Sequence, residues 1–239
     1  MSIYDTADLA ALLRGNTYPG RGLVVGKSAD GKHAVVIYFI MGRSENSRNR
    51  IFEEVGDDLF TRAFDESKLA DPSLIIYAPI RTLPGQLIVT NGDQTDTIYQ
   101  YALSGRSFEE ALATREFEPD APNFTPRISA ALTFGAGDFT YKMNILKSAD
   151  AAGSACNRYT FCYNALPGVG QFLHTYNGDG NPIPTFTGEP ERVAIGSDID
   201  EVANAVWESL NEQNKISLYV RFVSLADGRA ENRMFNKNK

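Results

Sequence analysis

The stretch Asn91-Gly92-Asp93-Gln94-Thr95-Asp96-Thr97-Ile98 carries more side-chain hydrogen-bonding groups than a plain connection needs. It follows an apolar run, Leu87-Ile88-Val89-Thr90. It precedes Ile98, Tyr101 and Ala102, which share one helical face ahead of Gly105. The spacing predicts a strand-to-helix turn with Thr95 or Asp96 as N-cap. Free N–H groups at a helix start attract anions, and the polar side chains can be aimed at a ligand. A polar loop with a good cap is the plainer alternative. A second dense stretch, Gly42-Arg43-Ser44-Glu45-Asn46-Ser47-Arg48-Asn49-Arg50, holds three arginines in the eight positions 43–50. The planar guanidinium fork suits bidentate binding of phosphate. A solvated loop paired with Glu45, Glu53 and Glu54 is the plainer reading of that stretch.

Two further arginines stand beside apolar strands. Tyr18-Pro19-Gly20-Arg21-Gly22 leads into Leu23-Val24-Val25-Gly26, and Asn123-Phe124-Thr125-Pro126-Arg127-Ile128 heads an alternating run. An unpaired charge there is costly, so each arginine calls for a ligand or a buried carboxylate. Taken in order, the four pieces resemble the archaeal-type inosine monophosphate (IMP) cyclohydrolase family, from about Tyr18 to about Leu132.

The resemblance implies closure of the purine ring. The carboxamide nitrogen of 5-formamidoimidazole-4-carboxamide ribonucleotide attacks the formyl carbon, giving IMP and water. Such a reaction needs the substrate folded into a reactive geometry. It also needs donors near the formyl oxygen and groups that move protons. The resemblance implies substrate contacts by Arg21, Arg43, Ser44, Arg48, Arg50, Asn91, Gly92, Thr95, Asp96 and Thr125, with at least one of Arg43, Arg48 and Arg50 on the 5′-phosphate. Glu118 and Asp120 are the proton-transfer candidates, and Tyr77 and Arg127 candidate stabilisers of the formyl oxygen. In the family the acidic residues sit about one residue closer to the TPR motif, which leaves open which carboxylate corresponds. No cofactor or metal is required, and the partner is a small purine nucleotide, with homo-oligomerisation left open. Two other functions remain: a related amidohydrolase, or a nucleotide-binding regulatory protein without turnover.

The elements must position these groups within 239 residues, 43% hydrophobic and 22% charged, enough for a sizeable core. The net charge of −7 argues against a nucleic-acid binder. It does not oppose a local phosphate site, because salt screens charges beyond about 8 Å. No apolar run approaches the roughly 20 residues that span a bilayer. Asp5 and Asp8 stand where a signal peptide would be basic, so a cytoplasmic protein is expected. Cys156 and Cys162 have no zinc-like spacing, and His33 and His174 lie apart.

Periodicity predicts a short helix over 5–15 and a hairpin of strands at 22–26 and 34–40. It predicts strands at 73–83 and 86–90, and a helix over about 96–104. A second helix begins at the capping box of Ser107 and Glu110. A stiff, extended, proline-rich connector at 117–126 would carry Glu118 and Asp120. Strand 127–134 should turn Ile128, Ala130, Leu132 and Phe134 to one side, and Phe139, Tyr141, Met143 and Ile145 should share a face of the next strand. Residues 164–190 read as a long loop. A helix over about 199–213, with Val202, Ala205, Val206, Ser209 and Leu210 inward, precedes a closing hairpin at 216–225 and 229–235. This is an α+β pattern, one domain over 1–239 with 1–17 as a helical extension. The resemblance sharpens it to a four-layer αββα sandwich like that of the Ntn hydrolases. Their N-terminal nucleophile has no counterpart here, since the matching strand has glycine at position 22.

Overall fold

The computed structural model describes residues 2, 4–69 and 76–239. In chain order the elements are α1 (Leu9–Gly15), β1 (Arg21–Lys27), β2 (His33–Met41), α2 (Glu45–Arg48), β3 (Arg50–Val55), β4 (Asp58–Ala63), β5 (Ile80–Leu83) and β6 (Gln86–Thr90). They continue with α3 (Gln94–Leu103), α4 (Phe108–Ala113), β7 (Arg127–Gly135), β8 (Asp138–Ser148), β9 (Cys156–Asn164), β10 (Val169–His174), β11 (Glu191–Ala194), α5 (Ile199–Ser209), β12 (Lys215–Ser224) and β13 (Ala230–Asn236). This is an α+β protein with two antiparallel sheets and few helices. One sheet runs β11-β10-β1-β2-β12-β13; the other keeps chain order from β3 to β9.

The apolar run 34–40 became the centre of the first sheet because both of its faces find cover. Val36, Tyr38 and Ile40 meet Ile128, Ala130, Leu132 and Met143 of the second sheet in one core. Val35, Ile37 and Phe39 face the other way, into a core shared with Leu9 and Leu13 of α1 and Ile199, Ala203 and Val206 of α5. On the far side of the second sheet, Ile98, Ala111 and Leu112 of α3 and α4 pack against Ile88 and Leu146. The alternation expected for β7 and β8 is met: Phe134 packs against the inter-sheet core, which includes Phe139, Tyr141, Met143 and Ile145.

Several boundaries differ from expectation. Helix α1 starts at Leu9 because the Asp8 carboxylate accepts from the Ala10 N–H and caps it there. Helix α3 starts at Gln94, so Thr95 and Asp96 lie inside it and neither is the cap. The Thr95 hydroxyl bonds the Gly92 carbonyl instead. Of the strand expected at 73–83, only Ile80–Leu83 forms; residues 73–75 lie outside the described ones. The hairpin β3–β4 and strands β9 and β11 had no place in the sequence reading, and β10 lies within the supposed loop. Gln171 and His174 hid β10, yet they are buried between β11 and β1. Helix α5 stops at Ser209, and Ala203 rather than the exposed Ala205 faces inward. The connector 117–126 is folded back, not extended. The Glu118 N–H donates to the Thr125 carbonyl at 2.9 Å, and the Asp120 carboxylate accepts from the Thr125 N–H at 2.6 Å.

Candidate functional site

A cleft of about 310 Å³ opens at one end of the sandwich, where β1 begins, β2 ends and β3 begins. Two segments close it: the folded connector around Glu118 and the loop after β10 that carries Tyr176. Arg21 enters from the head of β1. Its Nη2 lies 3.5 Å from Glu118 Oε2, with both side chains largely buried at 11% and 3% exposure. The Arg21 Nε has no hydrogen-bond partner among the described residues.

Arg50, 1% exposed, enters from the head of β3. Its Nε donates to the Ser47 carbonyl at 2.7 Å and its Nη2 to the Met41 carbonyl at 3.4 Å. Its Nη1 is buried without a partner, and no described carboxylate lies within ion-pair distance. Burial and the neighbouring Arg21 both push the Arg50 pKa below the usual guanidinium value. Burial, the largest single influence, would lower Arg21 too, but Glu118 together with the Tyr77, Tyr176 and Tyr18 hydroxyls outweighs it and holds Arg21 well above that value. The Glu118 carboxyl is held above the ordinary range, because burial outweighs the pull of Arg21 and Arg127. The cleft therefore brings together a dry cation without a counter-ion and a dry carboxyl that favours its proton.

The far wall is a chain of hydroxyls. Thr125 Oγ1 donates to the Asp120 carboxylate and bonds the Tyr176 hydroxyl. The Tyr176 ring stacks on Tyr18, with centroids 5.8 Å apart and planes at 15°. The Arg43 guanidinium lies 5.1 Å from the Tyr18 ring centroid and pairs with Asp179 at the exposed rim. Ser44 caps the short α2 by exchanging bonds with Ser47 and also borders the cleft.

Thus Arg21, Arg43, Ser44, Arg50, Glu118, Asp120 and Thr125 are brought to one cleft. The other expected residues are not. Arg48 is turned to the Gly42 carbonyl at 3.0 Å and to Asn214. The turn after β6 does not line the cleft but lies behind it, buried as a polar network. Asn91 donates to the Pro126 carbonyl at 2.9 Å and accepts from the Ile128 N–H at 2.8 Å. Thr95 bonds Thr90, while Asp96 sits outside on Arg81 at 2.7 Å. Arg127 is held by Asp93 at 2.7 Å and by the Gln94 amide oxygen at 2.8 Å, so it has a carboxylate partner, though Asp93 itself is half exposed rather than buried. A Cβ on Gly92 would stand 2.4 Å from Arg127 Nη1, so the glycine makes room for that guanidinium. Tyr77 is buried, with its hydroxyl 2.8 Å from that of Tyr38. Tyr18 and Tyr176 were missed. Tyr18 stood in a quoted motif, but Tyr176 carried no signal within a stretch read as loop.

Two facing antiparallel sheets with an arginine–carboxylate cleft at one end define the class of α+β protein to which this chain belongs. Residues 18–228 match the family described as IMP cyclohydrolase-like protein, and the chain belongs to that family. It is 35% identical over 116 residues to the IMP cyclohydrolase of Methanopyrus kandleri, covering 47% of this chain and 57% of that protein. It is 33% identical over 121 residues to the IMP cyclohydrolase of Methanocella arvoryzae, covering 48% and 58%. With the IMP cyclohydrolase of Methanococcus aeolicus it shares 32% identity over 119 residues, again 48% and 58%. The matches thus span less than two thirds of these relatives. No helix among the described residues is long and apolar enough to cross a membrane.

Proposed function

We propose that this chain is an IMP cyclohydrolase that closes the ring of the formylated imidazole carboxamide ribonucleotide in the Arg21–Arg50–Glu118 cleft. The observation that carries this is Arg50: a buried guanidinium with one nitrogen unpartnered, facing a cleft rather than a carboxylate. A dry cation without a counter-ion costs stability unless an anion visits it. A 5′-phosphate supplies that anion, with Arg43 assisting at the rim. At the other end, Arg21 stabilises charge developing on the formyl oxygen. Glu118 keeps its proton longer than an exposed carboxyl does and delivers it to the departing hydroxyl, which leaves as water; the resulting carboxylate takes up the proton shed by the attacking amide nitrogen, which restores the acid. Asp120 anchors Thr125 and Tyr176 and positions the wall instead of transferring the proton. Tyr77 and Arg127 act from behind the cleft, Arg127 through its pull on Glu118.

The layering supports the finer reading of the fold as an Ntn-hydrolase-like αββα sandwich: α1 and α5 on one sheet, α3 and α4 on the other. A Cβ on Gly22 would meet the Phe39 ring at 2.1 Å, so no side-chain nucleophile fits that position. Residues 1–239 are taken as one domain, since α1 of the 1–17 extension shares its core with α5, and as cytoplasmic on the strength of the proposed biosynthetic reaction.

The test is to supply purified protein with the formylated ribonucleotide and follow IMP formation by ultraviolet absorbance. Conversion that saturates with substrate is expected. Tight binding of IMP with no conversion would refute the reading in favour of a nucleotide-binding protein.

A further inference from the structure

Five lysines and arginines are buried among the described residues: Lys27, Arg50, Arg127, Lys215 and Arg221. Three face a carboxylate: Lys27 on Asp138 at 3.0 Å, Arg127 on Asp93 at 2.7 Å and Lys215 on Glu212 at 2.6 Å. Arg50 and Arg221 do not, and each lines a cleft. The Arg50 cleft is the candidate active site. The Arg221 cleft is a separate cavity of about 460 Å³ at the other end of the sandwich. On β2, Met41 borders the first cleft, whereas Val36 is the register partner of Arg221. At ~3.3 Å per residue those positions are about 17 Å apart.

Arg221 shares one face of β12 with Tyr219 and Val223 and points between the sheets, where an apolar side chain is the ordinary choice. Its hydrogen bonds all go to neutral acceptors. Nε donates to Asn232 Oδ1 at 3.0 Å, Nη1 to the Asp57 carbonyl at 2.8 Å, and Nη2 to the Tyr219 hydroxyl at 2.8 Å. These bonds fix the fork in place; the Tyr219 hydroxyl and Asn232 donate in turn to the Glu54 carboxylate, at 2.7 and 2.8 Å, but no described carboxylate reaches Arg221 itself, whereas a buried charge ordinarily has a direct counter-ion. Leu83, Leu87, Phe134 and Val223 supply apolar walls beside it. A cavity of this size with apolar walls and one fixed charge suits a small organic ligand.

We infer that the Arg221 cleft is a second binding site, for an amphipathic monoanion whose carboxylate pairs with Arg221 and whose apolar or aromatic body lies against Leu87 and Phe134. Titration of the full chain with 2-naphthoate and its neutral counterpart 2-naphthamide, by calorimetry, tests this. The carboxylate should bind at least about tenfold more tightly than the amide, the usual reach of a charge-assisted hydrogen bond. Arg221→Met should reduce naphthoate to the level of naphthamide, and Arg50→Met should leave it unchanged. If Arg221→Met does not fold, as judged by circular dichroism, Leu225→Trp at the mouth carries the test and should weaken both ligands. Equal affinities for the two compounds overturn the inference. So do loss of naphthoate binding in Arg50→Met with retention in Arg221→Met or Leu225→Trp, and absence of naphthoate binding by the folded parent.

Discussion

Arg50→Met should weaken ligand binding while leaving the fold intact. Methionine roughly matches the length of the arginine stem and needs no counter-charge. Replacing a buried ion by an apolar side chain of similar volume is often neutral or stabilising by about 1–4 kcal/mol. Relief from Arg21, which faces the same cleft and pushes the Arg50 pKa down, acts in that direction. Against it stands the loss of the 2.7 Å bond to the Ser47 carbonyl and the longer bond to the Met41 carbonyl. Together these are worth about 1–2 kcal/mol net. The balance lies between a loss of about 2 kcal/mol and a gain of about 3, a small net change either way. Arg127→Met is the contrast. It leaves the buried Gln94 amide oxygen without its donor, while half-exposed Asp93 keeps Arg115, and should cost about 1–3 kcal/mol. Urea unfolding at constant m measures both. Calorimetric titration of Arg50→Met with IMP should show affinity reduced by about 1.5–3 kcal/mol, tenfold to over a hundredfold. In turnover KM should suffer more than kcat, because the phosphate does not react. A loss of more than about 3 kcal/mol of stability, or unchanged IMP affinity, refutes the reasoning and makes Arg50 a structural clamp.

Glu118→Gln should lower kcat by about 10²–10⁴-fold with IMP binding largely retained; near-parental turnover at saturating substrate removes Glu118 from the proton transfer. The folded pKa of Glu118 lies above its unfolded value, so its contribution to stability is complete below the ordinary carboxyl pKa and is lost as pH rises through the raised one. The unfolding free energy of the parent should therefore fall across that window relative to Glu118→Gln, and activity should fall with it; parallel stability curves exclude the shift. Gly92→Ala places a methyl 2.4 Å from Arg127 Nη1 and 2.6 Å from Gln94 Oε1, and should cost about 1–3 kcal/mol in thermal or urea unfolding. Ser107→Ala breaks the capping box of α4, remote from the cleft, and should cost about 1 kcal/mol with turnover unchanged.

The parts of the fold legible in the sequence are those whose burial is written in a local pattern. The run 34–40 is apolar on both faces and lies centrally, and the period of two in 127–134 selects the core face of β7. The Ser107–Glu110 box is a contact between neighbours in sequence, and both of its bonds form. The hairpin β3–β4 escaped because Glu53, Glu54, Asp58 and Arg62 interrupt its apolar positions. It is held in part from afar, by the Asn236 amide bridging both the N–H and the carbonyl of Phe52. Strand β10 escaped for a similar reason: Gln171 and His174 are buried by pairing with Val25 and Gly22 of β1, far earlier in the chain.

The site was legible as a set of arginines and carboxylates but not as a geometry. Arg21 and Arg127 look alike in sequence, each a single arginine beside an apolar strand, and Arg50 is one of a cluster of three. What separates them is the counter-charge that the fold delivers. Arg127 receives Asp93 from the turn after β6, and with it that turn becomes a support rather than a cleft wall. Arg21 receives Glu118 because the connector folds back through Thr125. Arg50 receives only the Ser47 and Met41 carbonyls. Turn and connector are polar for the same local reasons, so composition could not tell a second layer from a first. Burial of a cation without a carboxylate can, because the fold has no stability reason to keep it. By that criterion Arg50 marks the ligand end of the cleft, and the same criterion, applied to the rest of the chain, singles out Arg221.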